Sequence, residues 1–514
     1  MRGLRQGTVD KFTRRPSQFV PGLKLILFVS GLIGITISLI LEEVGRPSIV
    51  ILPYYALAYF TSYKLMWRTN LRLLDNLIVL FLSVSYVQGF IAYSIFTGRS
   101  MSLNMVDRDT TLGVISVALV GLLIAQWASS KVRPRFETGM LGEYSGSKNK
   151  VLFYGIACLC IGSFGTILTL IASSRSNEAL SSAGSLVTLG ISLSYLTSIS
   201  IILLAFAFSS ASNKWPFLLF WLLYAVQTIH SYQVSTGRYI MISFGIISLY
   251  CLKILGINKR ILYSLIIGSI LFLPIVNMMS LGARFSGQTL GDLLSNPISA
   301  YDDYASSLLD NREARLYAFD KGINLYYLNM FDSFGTGVLE RLLAPPWADV
   351  IVGNSGGGIF GFAPLFRIFA SALPGPFVSN KLLSFGDEIT WDLGLVPNGI
   401  SQYANTTAIA ELYVIGGVIL VLVGSFGLYF LVFSQLRFFS CNDVFNAIPF
   451  VLFFNFANMW SGGGLLVLIL FAMRIVPLYL TVAAALKWLI ADNGKAVMIR
   501  PRPQSHYGLG TAPE

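Results

Sequence analysis

The chain has 514 residues, 54% of them hydrophobic and only 12% charged, with a mean hydropathy of +0.68. Soluble domains carry about 25% charged residues, and a single water-soluble core stops growing near ~250–300 residues. An ordinary soluble protein, a coiled coil, a disordered chain and a nucleic-acid-binding protein are all excluded as fits, despite the net charge of +11. The composition is that of a chain in a bilayer.

A spanning helix needs ~20 mostly apolar residues, and the sequence predicts twelve such spans. They cover 23–41, 48–66, 73–96, 110–129, 151–173, 184–208, 215–234, 239–257, 260–280, 407–433, 444–460 and 464–488. The first follows Arg2, Arg5, Lys11, Arg14 and Arg15, like the charged start of a signal peptide. Its apolar run is too long for one and ends at Leu41-Glu42-Glu43 without a small-residue cleavage site, so a permanent span is expected. The expected fold class is therefore all-α, a polytopic membrane protein. A basic segment (1–22) leads into nine spans (23–280), a long loop (281–406), three more spans (407–488) and a tail (489–514).

Lys and Arg set the expected orientation. With the N-terminus in the cytoplasm, 23 of the 36 basic residues fall inside against seven acids, while segment 281–406 carries seven basic residues and twelve acids. Both termini are then cytoplasmic and the long loop lies outside. The basic balance serves insertion and contact with anionic lipid rather than a particular partner.

The long loop is patterned. Residues 301–331 place apolar side chains at helical spacing among charges, predicting one or two amphipathic helices. Pro345-Pro346-Trp347 is expected to break them, and Gly353–Gly358 to form a flexible turn. Phe360–Phe377, interrupted by Pro364, Pro374 and Pro376, reads as an interfacial or re-entrant piece. Long loops are usually functional, and this one suggests a lid over an outward-facing site.

Among residues suited to chemistry, Arg238 stands first. It lies in Ser235-Thr-Gly-Arg-Tyr239, a short outer connection at interface depth, where the positive-inside rule does not explain it. Its planar fork suits two-point contact with phosphate or carboxylate; snorkelling to lipid headgroups is the alternative. Arg284 opens the long loop in Leu281-Gly-Ala-Arg-Phe285 with the same two readings. Arg312, Arg315 and Arg341 lie beside Asp310, Glu313 and Glu340, so ion pairs along helix faces compete with substrate contact. Glu411 falls about a turn into a span, where an ionisable group is functional by default, with a structural pairing to Arg474 as the alternative. Asp302 and Asp303 are candidates for a base or substrate contact, or simply a solvated helix start. Asp107-Arg-Asp109 has the Asp-x-Asp form of metal-dependent sugar transferases, but an aspartate N-cap before Thr110 is the ordinary explanation. His230 reads as a buried histidine before it reads as a proton acceptor.

Cys158, Cys160 and Cys251 lie in apolar runs and Cys441 in a short basic loop, so no disulfide framework is expected. With His230 and His506 as the whole histidine complement, a histidine-rich zinc site is not expected either. Walker, dinucleotide-binding and HExxH motifs are missing, which leaves ATP-driven and zinc-protease chemistry without support. No metal and no cofactor are expected.

The combination resembles the Wzy-type polysaccharide (O-antigen) polymerases, relatives of the WaaL-type O-antigen ligases. Thr236-Gly-Arg-Tyr239, Arg284, Leu365-Phe-Arg-Ile-Phe-Ala-Ser-Ala-Leu-Pro374 and Ala410-Glu-Leu-Tyr-Val-Ile-Gly-Gly417 carry it, along with the topology. The Arg-x10-Gly repeats of some members are missing. The long loop also lacks the histidine that ligases use there, which favours polymerase over ligase. The resemblance implies glycosyl transfer at the periplasmic face of a bacterial inner membrane, moving a growing glycan from polyprenyl diphosphate onto a new lipid-linked repeat unit. Charge then develops beside the diphosphate, where fixed guanidinium donors are effective. In that reading Arg238 and Arg284 are catalytic, and Tyr239 with Arg312, Arg315 and Arg341 contacts substrate. Glu411, Asp302 or Asp303 would supply a base. The expected partners are the lipid-linked oligosaccharide, membrane lipid and a chain-length regulator, with no nucleic acid. A ligase-like transferase and a lipid-linked-oligosaccharide flippase are the competing readings.

Overall fold

A chain in hydrocarbon must satisfy each backbone N–H and C=O within its own segment, so long apolar runs become helices. The computed structural model describes residues 50–67, 105–131, 148–173, 193–209, 213–235, 344–372, 385–394, 407–438 and 464–470, with isolated residues between 29 and 40, between 244 and 256 and at a few other positions. Among the described residues every regular element is helical.

Among the described residues five helices precede the long segment 281–406: α1 (Ile51–Trp67), α2 (Arg108–Ser130), α3 (Lys148–Ser173), α4 (Leu196–Phe208) and α5 (Trp215–Ser235). Three lie within it, α6 (Ala344–Val352), α7 (Ala363–Ala372) and α8 (Phe385–Asp392), and two follow it, α9 (Ala408–Phe438) and α10 (Leu465–Leu470). Among the described residues three stretches are long and apolar enough to cross a membrane: Arg108–Ser129, Asn149–Leu168 and Ala408–Leu431. Of the other expected spans, 48–66, 184–208 and 215–234 correspond at least in part to α1, α4 and α5, and the rest fall wholly or partly outside the described residues.

The helices pack in two groups. α3 lies along α4, and both meet α5. Gly162 faces Thr197 and Gly155 faces Leu204, so numbering rises in α3 as it falls in α4, which makes the pair antiparallel. Small residues at such a seam let two backbones approach closely. Polar side chains tie the group laterally: Gln227 Nε2 donates to Ser163 Oγ at 2.5 Å, and Trp221 Nε1 donates to Ser248 Oγ at 2.9 Å.

The second group gathers α1, α2, α6, α7, α9 and α10. α2 begins at Asp107, whose side chain accepts from Thr110 N at 3.1 Å, and ends with Lys131 Nζ 4.0 Å over the Trp127 ring. Gly121 lets α9 come close, because a Cβ there would sit 2.8 Å from Leu422 O and 3.1 Å from Phe426 N.

α9 differs from the single straight span expected over 407–433. Gly416 (φ −141°, ψ 17°) and Gly417 (φ 65°, ψ −161°) leave the helical region. The second of these is a conformation essentially confined to glycine. Leu412 lies against Gly424, with its Cδ1 2.8 Å from where a Cβ would stand. In a straight helix twelve residues are separated by about 18 Å. The chain therefore doubles back at the glycine pair, laying residues 408–415 beside residues 418–438. The second stretch, about 32 Å long at 1.5 Å per residue, is long enough to cross hydrocarbon alone. Residues 408–415 are buried on every side, as expected of a helix that is apolar all round.

Pro345-Pro346 lies in the first turn of α6, and the helices it was expected to break lie outside the described residues. In the first turn the missing proline N–H has no partner to lose, and the fixed φ suits the helix. Gly353–Gly358 is a turn, as expected, but a fixed one: Gly353 N donates to Asp349 O at 2.7 Å and Asn354 N to Ile351 O at 3.3 Å. The chain then turns into α7. The amphipathic helices expected over 301–331 lie outside the described residues.

Candidate functional site

Two buried carboxylates organise the second group. Asp349, fully buried in α6, accepts from Val106 N at 2.5 Å through Oδ2. Its Oδ1 accepts from Asp107 N at 3.2 Å and Thr111 Oγ1 at 2.8 Å. These donors belong to the start of α2, where the first N–H groups of a helix lack intrahelical partners. Asp349 thus anchors α6 onto the N-terminus of α2, where the helix dipole favours negative charge. Burial pushes its carboxyl above the ordinary value; the bonds from Val106, Thr111 and Asp107 oppose that rise without cancelling it.

Glu411 plays a parallel part. It is 1% exposed in the folded-back stretch, and its Oε2 accepts from Leu465 N at 2.6 Å at the start of α10. Gly464 is pressed against the same carboxylate, so a side chain there would strike it. The stretch itself begins at Thr407, whose Oγ1 accepts from Ala410 N at 3.3 Å. Arg474, the partner considered from sequence, lies outside the described residues.

The reversal in α9 leaves the carbonyls of Tyr413 and Val414 facing residues at and beyond the break. The turn after α6 supplies donors instead: Gly358 N donates to Tyr413 O at 2.9 Å and Phe360 N to Val414 O at 3.1 Å. A Cβ at Gly357 would stand 3.0 Å from the Tyr413 ring and 3.2 Å from Gly417 Cα, so the backbones approach directly. Irregular backbone within a membrane protein is tolerated where other protein re-satisfies it, and here the α6–α7 hairpin does so.

The Asp107-Arg-Asp109 carboxylates are engaged locally. Asp107 caps α2, and Asp109 Oδ1 lies 3.0 Å from Arg108 Nε. Among the described residues no group of three histidine, cysteine or acidic side chains is arranged to hold a metal ion. On the hairpin's other limb, Arg367 of α7 pairs with Glu388 of α8 at 2.8 Å. His230 falls within α5.

Of the site residues expected from sequence, the structure describes Glu411 alone. Arg238, Tyr239, Arg284, Asp302, Asp303, Arg312, Arg315 and Arg341 lie outside the described residues. Asp349 was not among the candidates. An acid inside the apolar run Trp347-Ala-Asp-Val-Ile-Val352 was its signal, since a carboxylate enters such a run only with donors waiting. Compared with known proteins, the chain matches no family model, no curated protein and no solved structure.

Proposed function

We propose that this protein is a membrane-embedded glycosyltransferase of the Wzy type, joining polyprenyl-diphosphate-linked oligosaccharide units into a polymer at the periplasmic face of the inner membrane. In this reading the chain crosses the membrane twelve times with both termini cytoplasmic. The observation that carries it is the hairpin at 344–372: part of the long acidic segment is built onto the end of α2 and the reversal of α9. A segment anchored to the helix ends is what positioning of a lipid-bound donor requires, because catalysis by fixed charge depends on donors that need not reorganise. Arg238 and Arg284, at interface depth by sequence, take the diphosphate in two-point contact. Tyr239, Arg312, Arg315 and Arg341 contact the glycan. The base falls to Asp302 or Asp303. Glu411, at 1% exposure and bonded to Leu465 N, is a positioning residue in this scheme rather than the base. No cofactor is required, since the lipid diphosphate is itself the leaving group. A chain-length regulator is the expected protein partner.

A second reading, transport of the lipid-linked unit, draws on the reversal at Gly416–Gly417, since broken helices mark the binding sites of many transporters. One experiment separates the two. Cells lacking the protein, complemented with wild type, Arg238→Lys or Arg238→Ala at matched levels, are scored for polymer length and for the side on which the lipid-linked unit accumulates. Polymerisation predicts single units displayed outside without the protein. It also predicts severely shortened polymer from Arg238→Lys, because lysine keeps the charge but loses the planar fork. Accumulation on the inner face overturns the polymerase in favour of transport, and full-length polymer from both variants removes the arginine mechanism.

A further inference from the structure

The hairpin's second limb has three distinct faces. Pro364, Ile368 and Ser371 of α7 are buried, and the helix packs on α10. Arg367 points aside to its partner Glu388. Phe362, Phe366 and Phe369, one residue before α7 and two within it at i, i+4 and i+7, are 57%, 75% and 45% exposed. A soluble protein rarely leaves three phenylalanines bare on one face.

Depth follows from the contacts. Gly353 meets Val106 and Asp107, and Gly357 meets Gly417. Four residues reach at most about 14 Å, so Gly417 lies near the Arg108 end of α2 and residues 418–438 run parallel to α2. Gly121, about 20 Å along α2 from Arg108, is level with Leu422–Phe426, which places Gly417 roughly 10 Å in from the Arg108 end. Val418 and Ile419, 47% and 79% exposed, continue from that point on a stretch apolar enough to cross a membrane. Ile359, 53% exposed, adjoins them through the Gly357–Gly358 contact with Gly417. Ile359, three residues before Phe362, thus links the exposed residues of the hairpin to the exposed apolar residues that open the second stretch of α9.

We propose that the α6–α7 hairpin is a re-entrant membrane element and that Phe362, Phe366 and Phe369 contact the acyl chains of one leaflet. The segment is then embedded within the bilayer edge rather than suspended over it as a lid. Arg367 and Glu388 mark the side that turns toward headgroups, with the arginine stem lying along apolar surface. Burying three phenylalanine rings in hydrocarbon anchors the hairpin independently of any substrate.

Single nitroxide labels at Phe362→Cys, Phe366→Cys and Phe369→Cys, in the full-length protein with its four cysteines replaced by alanine, test this in phosphatidylglycerol–phosphatidylethanolamine vesicles. The exposed positions tolerate a label without disturbing packing, and a label at Ile419→Cys serves as the lipid-facing standard. The expected result is relaxation by oxygen, with little by a water-soluble nickel chelate, at all three sites as at 419. Strong relaxation by the nickel chelate overturns the proposal, because the face is then in water. Protection from both reagents also overturns it, because the face is then covered by protein, either a second copy or another part of this chain.

Discussion

Replacing Asp349 by asparagine tests whether the hairpin hangs on one carboxylate. Asp349 offers two acceptor oxygens to three donors: Oδ2 to Val106 N, and Oδ1 to Asp107 N and Thr111 Oγ1. Asparagine keeps the shape but turns one oxygen into an NH2 group, so at least one donor meets a donor instead of an acceptor. Leaving a buried donor unsatisfied costs about 1–3 kcal/mol, which corresponds to about 5- to 150-fold in a local opening equilibrium. Amide hydrogen exchange in detergent micelles reads this directly. The amides of Gly353, Asn354, Gly358 and Phe360, all hydrogen-bonded in the hairpin, are expected to exchange faster together in Asp349→Asn. Those of α3 and α4 are expected to stay as they are. Because burial raises the Asp349 carboxyl, the folded state binds its proton more tightly than the open state. Its contribution is therefore full below the open-state pKa of about 3.9 and is lost as pH rises through the elevated folded value. After correction for intrinsic exchange, wild-type hairpin protection is expected to fall across that window, and the asparagine variant is expected to be flat. Unchanged exchange at the four hairpin amides, or an equal increase in α3 and α4, refutes the anchoring argument.

Two further outcomes follow from the same contacts. Gly417→Ala forces a Cβ into a conformation that costs about 1–3 kcal/mol. It is expected to lower the thermal midpoint in detergent, whereas Gly427→Ala on the same helix, with open space around it, is expected to raise it through better helix propensity. Equal effects would remove the reversal as a specific feature. Glu411→Gln retains an acceptor for Leu465 N and is expected to keep both fold and polymer product, while Glu411→Ala lowers the thermal midpoint by leaving that donor unpaired. Loss of product from a stably folded Glu411→Gln protein would return the residue to a catalytic role.

Periodicity and charge made the helices legible. The run 110–129 became α2, Arg108–Ser130, and 215–234 became α5, Trp215–Ser235, because apolar length alone decides whether a backbone can satisfy itself in lipid. Asp107 was legible as a cap because aspartate before a helix has a local partner, the N–H of the third residue on. Pro345-Pro346 stands in the first turn of α6, since a proline pair can start a helix as well as end one.

The site was less legible. Asp349 finds its donors about 240 residues earlier in the chain, and no local rule links positions so far apart. Glu411 attracted notice as an acid in an apolar run, but its partner is a backbone N–H 54 residues on, and backbone donors leave no mark in a sequence. Gly416-Gly417 can equally be read as close helix packing or as a break.

The sequence by itself determined that the chain is helical and apolar enough for a membrane, because composition and period are properties of each segment taken alone. Only the tertiary structure decided that residues 408–415 turn back beside 418–438, that a hairpin from the long segment supplies the missing backbone donors, and that two acids serve as anchors at the starts of other helices. Those outcomes depend on which unsatisfied N–H and C=O groups meet in space. That is a matter of long-range geometry, because a backbone N–H or C=O removed from water is costly unless a partner meets it.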